Sequence, residues 1–131
     1  MRAKLALILA ISTAVPVLAH HSFSAQYDRT KPITLTGPVT KVDWINPHAR
    51  FFIDAKDDKG AVANWEIELA APAMLMRRGW TKNSLKVGAV VTVAASLAKD
   101  GSKLANASTV TLSTGERVFA GSSGGDDSNT P

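Results

Sequence analysis

Three histidines are the residues of this 131-residue chain whose type and spacing suit metal binding. His20 and His21 follow Val17-Leu18-Ala19, which offers small residues at the −3 and −1 positions that a signal peptidase prefers. A cut after Ala19 makes His20 the amino terminus, where its free α-amine and its own imidazole Nδ1 can chelate one metal ion. His48, or His21 if the chain curls back, would add a third nitrogen. Nitrogen-rich tetragonal sites favour copper, so the sequence predicts Cu(II) at these histidines.

The exact cut decides the geometry of this predicted site. A cut one residue earlier would leave Ala19-His20-His21, in which amide nitrogens also bind copper or nickel, but it would put the disfavoured Leu18 at −1. Both geometries need neutral imidazole and a deprotonated amine, so binding is expected to weaken in acid. The competing interpretation is a soluble, flexible start for the histidine pair and a turn role for His48.

A second candidate surface surrounds the turn at Asn46-Pro47-His48, between the first two predicted strands. In an oligonucleotide/oligosaccharide-binding (OB) fold this loop borders the usual ligand face. We therefore predict a ligand site formed by Trp44, Asn46 and Phe52. The alternative for Trp44 is a place in the core, which its strand phase also permits.

Glu66 and Glu68 are a pair of carboxylates on the same side of the third predicted strand. Such a pair can perform acid–base chemistry, and a hydrolase with His48 as the base can be written on paper. Alternating polar residues more commonly form a solvent-facing strand surface, and no nucleophile-elbow or zinc-protease motif supports a hydrolase. The sequence therefore predicts no catalytic residue and favours a binding or accessory role over an enzyme.

Composition and the amino-terminal residues predict the cellular compartment of the protein. The chain has no cysteine, which excludes disulfides and thiolate metal sites. Residues 1–19 are typical of a secretory signal, with Arg2 and Lys4 before an apolar run from Leu5 to Val15 that is too short to span a bilayer. Its removal would leave 13 basic and 11 acidic residues, a net charge of only +2. We expect a periplasmic or secreted protein with no membrane span in the mature chain and no nucleic-acid partner.

The remaining residues predict a mainly β domain. A polar arm is expected over 20–31, an ordered domain over 32–120 and a disordered Gly/Ser/Asp-rich tail over 121–131. Alternating apolar residues predict five strands and a short edge at 117–119. A phase change in the first strand predicts a bulge or a strong coil, for which Gly37-Pro38 supplies irregular residues. One short helix is expected between strands three and four, with Pro72 in its first turn, Met74 to Arg78 as its body and Gly79 just past its end. This order predicts a small five-stranded OB-like barrel, with a β-sandwich as the alternative.

Several motifs in this order resemble a family of exported bacterial proteins, the domain of unknown function 6152 family. The motifs that carry the resemblance are His20-His21-Ser22-Phe23, Tyr27-Asp28, Leu35-Thr36-Gly37, Trp44-Ile45-Asn46-Pro47-His48, Arg77-Arg78-Gly79-Trp80, Leu85-Lys86-Val87-Gly88 and Val118-Phe119-Ala120-Gly121. The resemblance implies secretion and one small β-rich domain, and it implies no established activity or cofactor. Pro38 and the extended tail depart from the family pattern.

Two functions from different classes are expected on these grounds. The first is an exported copper-binding protein that uses the mature terminal histidine, with a metal ion or a periplasmic protein as its partner. The second is a metal-free OB-like module that binds a small molecule, a glycan or a protein through the face of the strand 1–2 loop. The amino terminus discriminates between them, because only the first depends on His20.

Overall fold

The computed structural model describes residues 23–56 and 60–121, and it is mainly β. A helical turn over 23–26 (α1) leads into the long strand β1 (Tyr27–Asp43). The other strands are β2 (Arg50–Lys56), β3 (Val62–Glu68), β4 (Val90–Ala98), β5 (Leu104–Thr111) and β6 (Arg117–Phe119). Helix α2 (Pro72–Arg77) lies between β3 and β4. The predicted fold class is confirmed, including the position of the short helix.

The six strands form one sheet that closes on itself. Their order is β3-β2-β1-β4-β5-β6, and β3 also pairs with β5 in parallel, which closes the ring. The other pairings are antiparallel. The order and the helix between β3 and β4 agree with the predicted OB-like arrangement, and β6 extends the sheet beyond β5.

The interior of the ring is filled by the apolar side chains that alternate along the strands. Phe51, Ile53, Ile67 and Val93 are fully buried there. Helix α2 adds Leu75 to the same core, with Pro72 in its first turn and Gly79 in a positive-φ conformation just beyond its end. Burial of such side chains is worth roughly 1.5–3 kcal/mol each, so the apolar alternation dominates the choice of fold.

Two strand boundaries differ from the sequence prediction. β1 begins at Tyr27 rather than near residue 32, because Tyr27 and Asp28 pair with Ala98 and Leu97 of β4 before a register shift. β5 begins at Leu104, where a run of small residues has weak strand propensity but pairs with both β3 and β4. Tertiary pairing overrides local propensity at both places.

The irregularity of β1 lies next to the predicted position. Its register against β2 shifts between Val39 and Lys41, and not at Gly37. Gly37 serves a different purpose, since a Cβ atom there would collide with the backbone carbonyl of Asp54. The absence of a side chain therefore allows β1 to approach β2 closely.

We expect Gly37→Ala to lower the free energy of unfolding by about 1–3 kcal/mol, the usual cost of forcing atoms into a packed site. Urea denaturation followed by circular dichroism measures the change. Gly121→Ala is the control, because no atom lies within 4 Å of a Cβ at that position. Equal stabilities for the two variants would contradict the close approach.

Candidate functional site

The carboxylate of Glu68 lies at the centre of a polar cluster at the end of β3. The residue is only 4% exposed. Its Oε2 accepts a hydrogen bond of 2.8 Å from the hydroxyl of Tyr27, and its Oε1 accepts one of 3.3 Å from Nδ2 of Asn106. A buried charge is tolerated only when donors surround it, and here they come from separate strands.

His48 is a third partner of this carboxylate. Its Nδ1 lies 3.1 Å from Oε1 of Glu68, and its side chain is 31% exposed. A carboxylate only accepts hydrogen bonds, so a hydrogen on Nδ1 is the form that this contact favours. In a neutral imidazole with that hydrogen, the lone pair is on Nε2. The arrangement places a half-exposed imidazole against a buried acid.

Arg50 provides the compensating positive charge. It stands opposite Glu68 in the β2–β3 register, with its guanidinium nitrogen Nη2 3.8 Å from Oε2 of Glu68. Its other terminal nitrogen, Nη1, forms a salt bridge with Glu66. One guanidinium therefore bridges the two carboxylates and limits the repulsion between them.

Ring closure assembles the cluster from distant parts of the chain. The parallel β3–β5 pairing sets Asn106 opposite Glu68. The loop that carries His48 is fixed by Ala49, whose N–H donates to the carbonyl of Ala70 at 3.1 Å and whose carbonyl accepts from Leu69 at 2.8 Å. Ala49 is fully buried, so His48 is held immediately beside the end of β3.

The start of β1 contacts the polar cluster around Glu68 through Tyr27, whose ring packs against that of Phe23. The rings of Phe23 and Tyr27 lie 5.4 Å apart and form a small second cluster with Ala98. The guanidinium of Arg29 lies 4.7 Å from the centre of the Phe23 ring. The described part of the predicted arm, residues 23–31, is thus a helical turn and the first residues of β1.

Burial raises the pKa of Tyr27 far above its ordinary value. The hydrogen bond to Glu68 and the negative charge of that carboxylate act in the same direction, while Arg50 opposes them. The tyrosine therefore remains a protonated donor throughout the neutral range.

The structure separates the predicted site residues. His20 and His21 lie outside the described residues, and His48 lies in the cluster around Glu68. Trp44 is half-buried and lines a small cavity beside Trp80. Asn46 is exposed, and Phe52 lies in a groove on the outer face of the sheet. Trp44 and Phe52 thus line different cavities.

The interpretation of Glu66 and Glu68 as a solvent-facing pair is wrong at Glu68. Both side chains lie on the outer face, but Tyr27 and Asn106 cover Glu68 while Glu66 remains partly exposed. The parts played by Tyr27, Arg50 and Asn106 were not found from the sequence. One sequence signal for the burial of Glu68 is its position directly before the apolar residues Leu69 and Ala70, a pattern that indicates a buried strand end.

Within residues 23–56 and 60–121, no group of three or more His, Cys, Asp or Glu side chains is arranged to hold a metal ion. Across the same ranges, no helix is long and apolar enough to cross a membrane.

The fold and the cluster define a small, mainly β protein with a closed ring of strands and, on its outer face, a buried carboxylate paired with a half-exposed histidine. The chain belongs to the family of unknown function DUF6152, whose model matches residues 8–107. This confirms the family resemblance seen in the sequence. A search of curated proteins finds no match.

We expect Glu68→Gln to lower the free energy of unfolding by about 1–3 kcal/mol, because an amide cannot replace the charged acceptor of several buried donors. Urea denaturation at neutral pH measures the loss. Glu66→Gln is the matched control on the same strand and face. Its salt bridge is partly exposed, so its removal should cost about 1 kcal/mol or less. A larger loss for Glu66→Gln would contradict the central place of Glu68.

Tyr27 is the only tyrosine in the chain, so tyrosinate absorbance reports on it alone. We expect no ionisation of the folded protein at pH about 10, the ordinary midpoint for tyrosine, and normal ionisation in denaturant. Since the folded-state pKa is raised, the contribution to stability is complete below pH about 10 and declines above it. A normal titration of the folded protein would contradict the buried hydrogen bond.

Proposed function

We propose that the mature protein is an exported copper-binding protein in which His20 and His48 hold one Cu(II) ion. His20 would contribute its α-amine and its imidazole Nδ1, and His48 would contribute Nε2. The task would be carriage, buffering or delivery of the ion.

The contact between His48 and Glu68 is the observation that carries this proposal. Histidines that bind metal ions usually donate their other ring N–H to a carboxylate or a carbonyl, which fixes the tautomer and raises the basicity of the ligand. Nδ1 of His48 lies 3.1 Å from a buried carboxylate, while its side chain remains 31% exposed. The imidazole is therefore preorganised to use Nε2 toward a ligand from solvent.

The contacts of Phe23 and Tyr27 support the pairing of His20 with His48. His20 precedes Phe23 by three residues, a distance that extended chain covers with at most about 10 Å. Phe23 packs on Tyr27, which donates to the same carboxylate that binds His48. The described start of the chain is thus joined to His48 through two side chains.

A second candidate function is metal-free binding through a groove on the outer face of β2 and β3. Phe52, one of the predicted ligand residues, lines this groove together with Asn64, Glu66 and Lys103, and its volume is about 300 Å³. The groove also includes Ser102, in the β4–β5 loop, an edge that OB-like folds use for ligands. This candidate does not require His20 or His48.

The decisive experiment exports the protein through its own leader, verifies by mass that the chain starts at His20, and titrates it with Cu(II) under electron paramagnetic resonance. We expect one ion per chain with a nitrogen-rich axial spectrum. His48→Ala should abolish this spectrum. One extra residue before His20 should abolish it too, because the free α-amine would then belong to the added residue and could not chelate the ion together with the imidazole of His20.

The control for the added residue is the same residue placed after Pro131, which should leave the spectrum unchanged. Weak or non-stoichiometric binding would overturn the copper proposal, as would a spectrum indifferent to both changes. The groove around Phe52 would then become the site to examine, with Phe52→Ala as its first variant.

A further inference from the structure

The hydroxyl of Tyr27 joins the beginning of the described chain to the carboxylate that holds His48. It donates to Oε2 of Glu68 at 2.8 Å, while Nδ1 of His48 lies 3.1 Å from Oε1. Tyr27 is 2% exposed and Glu68 is 4% exposed. Water therefore has little access to replace the phenol as a donor.

The two oxygens of Glu68 have different partners, and this division fixes the rotation of the carboxylate. Oε1 serves His48 and Asn106, and the latter contact is the longer at 3.3 Å. Oε2 serves Tyr27, with Arg50 at 3.8 Å beyond ideal hydrogen-bond distance. Without the phenol, Oε2 has no short contact among these partners and the carboxylate is free to turn.

We propose that Tyr27 is a positioning residue, which fixes Glu68 and through it holds His48 as the Nδ1–H tautomer with Nε2 available to a metal. The part of this inference that concerns Cu(II) rests on the proposed function. The tautomer itself is a property of the metal-free protein. Its test therefore does not depend on copper.

The same hydroxyl also anchors the amino-terminal segment. Lys99, directly after β4, supports this anchoring, because its backbone N–H donates to the carbonyl of Gln26 at 2.9 Å and its ammonium donates to the carbonyl of Ser24. Tyr27 thus joins the start of β1 to Glu68 and, through this carboxylate, to His48. The burial that raises the pKa of the phenol keeps it a protonated donor throughout the neutral range.

The test compares the wild-type protein with Tyr27→Phe, which retains the ring and its packing against Phe23 and removes only the hydroxyl. Long-range ¹H–¹⁵N correlation spectra of the metal-free protein, recorded at pH about 8, report the tautomer. His48→Ala identifies the His48 signals. Ser108→Ala is the matched control, because its hydroxyl donates to the carbonyl of Ala94, away from Glu68.

We expect His48 to be the Nδ1–H tautomer in the wild type and in Ser108→Ala, and a mixture with the Nε2–H form in Tyr27→Phe. The affinity for Cu(II) should fall by about 10-fold in Tyr27→Phe, at the low end of the effect of residues that support a metal ligand. If the hydroxyl of Tyr27 had a purely structural role, Tyr27→Phe would lower thermal stability, as Ser108→Ala would, and would leave the tautomer of His48 unchanged.

An unchanged His48 tautomer in folded Tyr27→Phe would overturn the inference, whether or not the wild type binds copper. A shifted tautomer in a protein that binds no copper would support the positioning role and overturn the proposed function. If Tyr27→Phe fails to fold, Asn106→Ala addresses the other oxygen of Glu68. It should shift the tautomer to a smaller extent because its bond is longer, and an unchanged tautomer there would overturn the inference.

Discussion

Glu68 has lost almost all contact with water, and a charged carboxylate in that position must be surrounded by donors. The surrounding groups come from β1, β2, β5 and the loop between β1 and β2, and their residues are Tyr27, Arg50, Asn106 and His48. Each donor fixes the element that carries it relative to the end of β3. One side chain thereby connects the amino-terminal segment, the ring of strands and the histidine loop.

Closure of the ring makes this cluster possible. The parallel pairing of β3 with β5 brings Asn106 to Glu68 across 38 positions of sequence, and Tyr27 lies 41 positions from the same carboxylate. Gly37 contributes at a distance, because its missing side chain lets β1 lie close to β2 at Asp54. The apolar interior and the polar cluster are therefore two faces of the same strand arrangement, one inside the ring and one outside.

The cluster also changes the chemical character of His48. A lone histidine after a proline in a turn has no preferred tautomer, but a buried acid beside one ring nitrogen favours the form with its hydrogen on that nitrogen. The half-exposed imidazole lies beside a buried carboxylate whose repulsion from Glu66 is reduced by the single guanidinium of Arg50. The groove beside Phe52 and Glu66 lies on the same outer face, so the two candidate functions share one surface of the molecule.

Sequence patterns alone determined the mainly β fold, the number and order of the strands, the short helix after Pro72 and the family, because apolar alternation and turn residues are local signals. They also singled out His48 as a residue for chemistry. Only the tertiary structure decided that Glu68 is buried, that Tyr27, Arg50 and Asn106 surround it, and that Trp44 and Phe52 line different cavities. These facts depend on the register between strands far apart in sequence and on which outer face the start of β1 covers, and neither is encoded in the local alternation of residues.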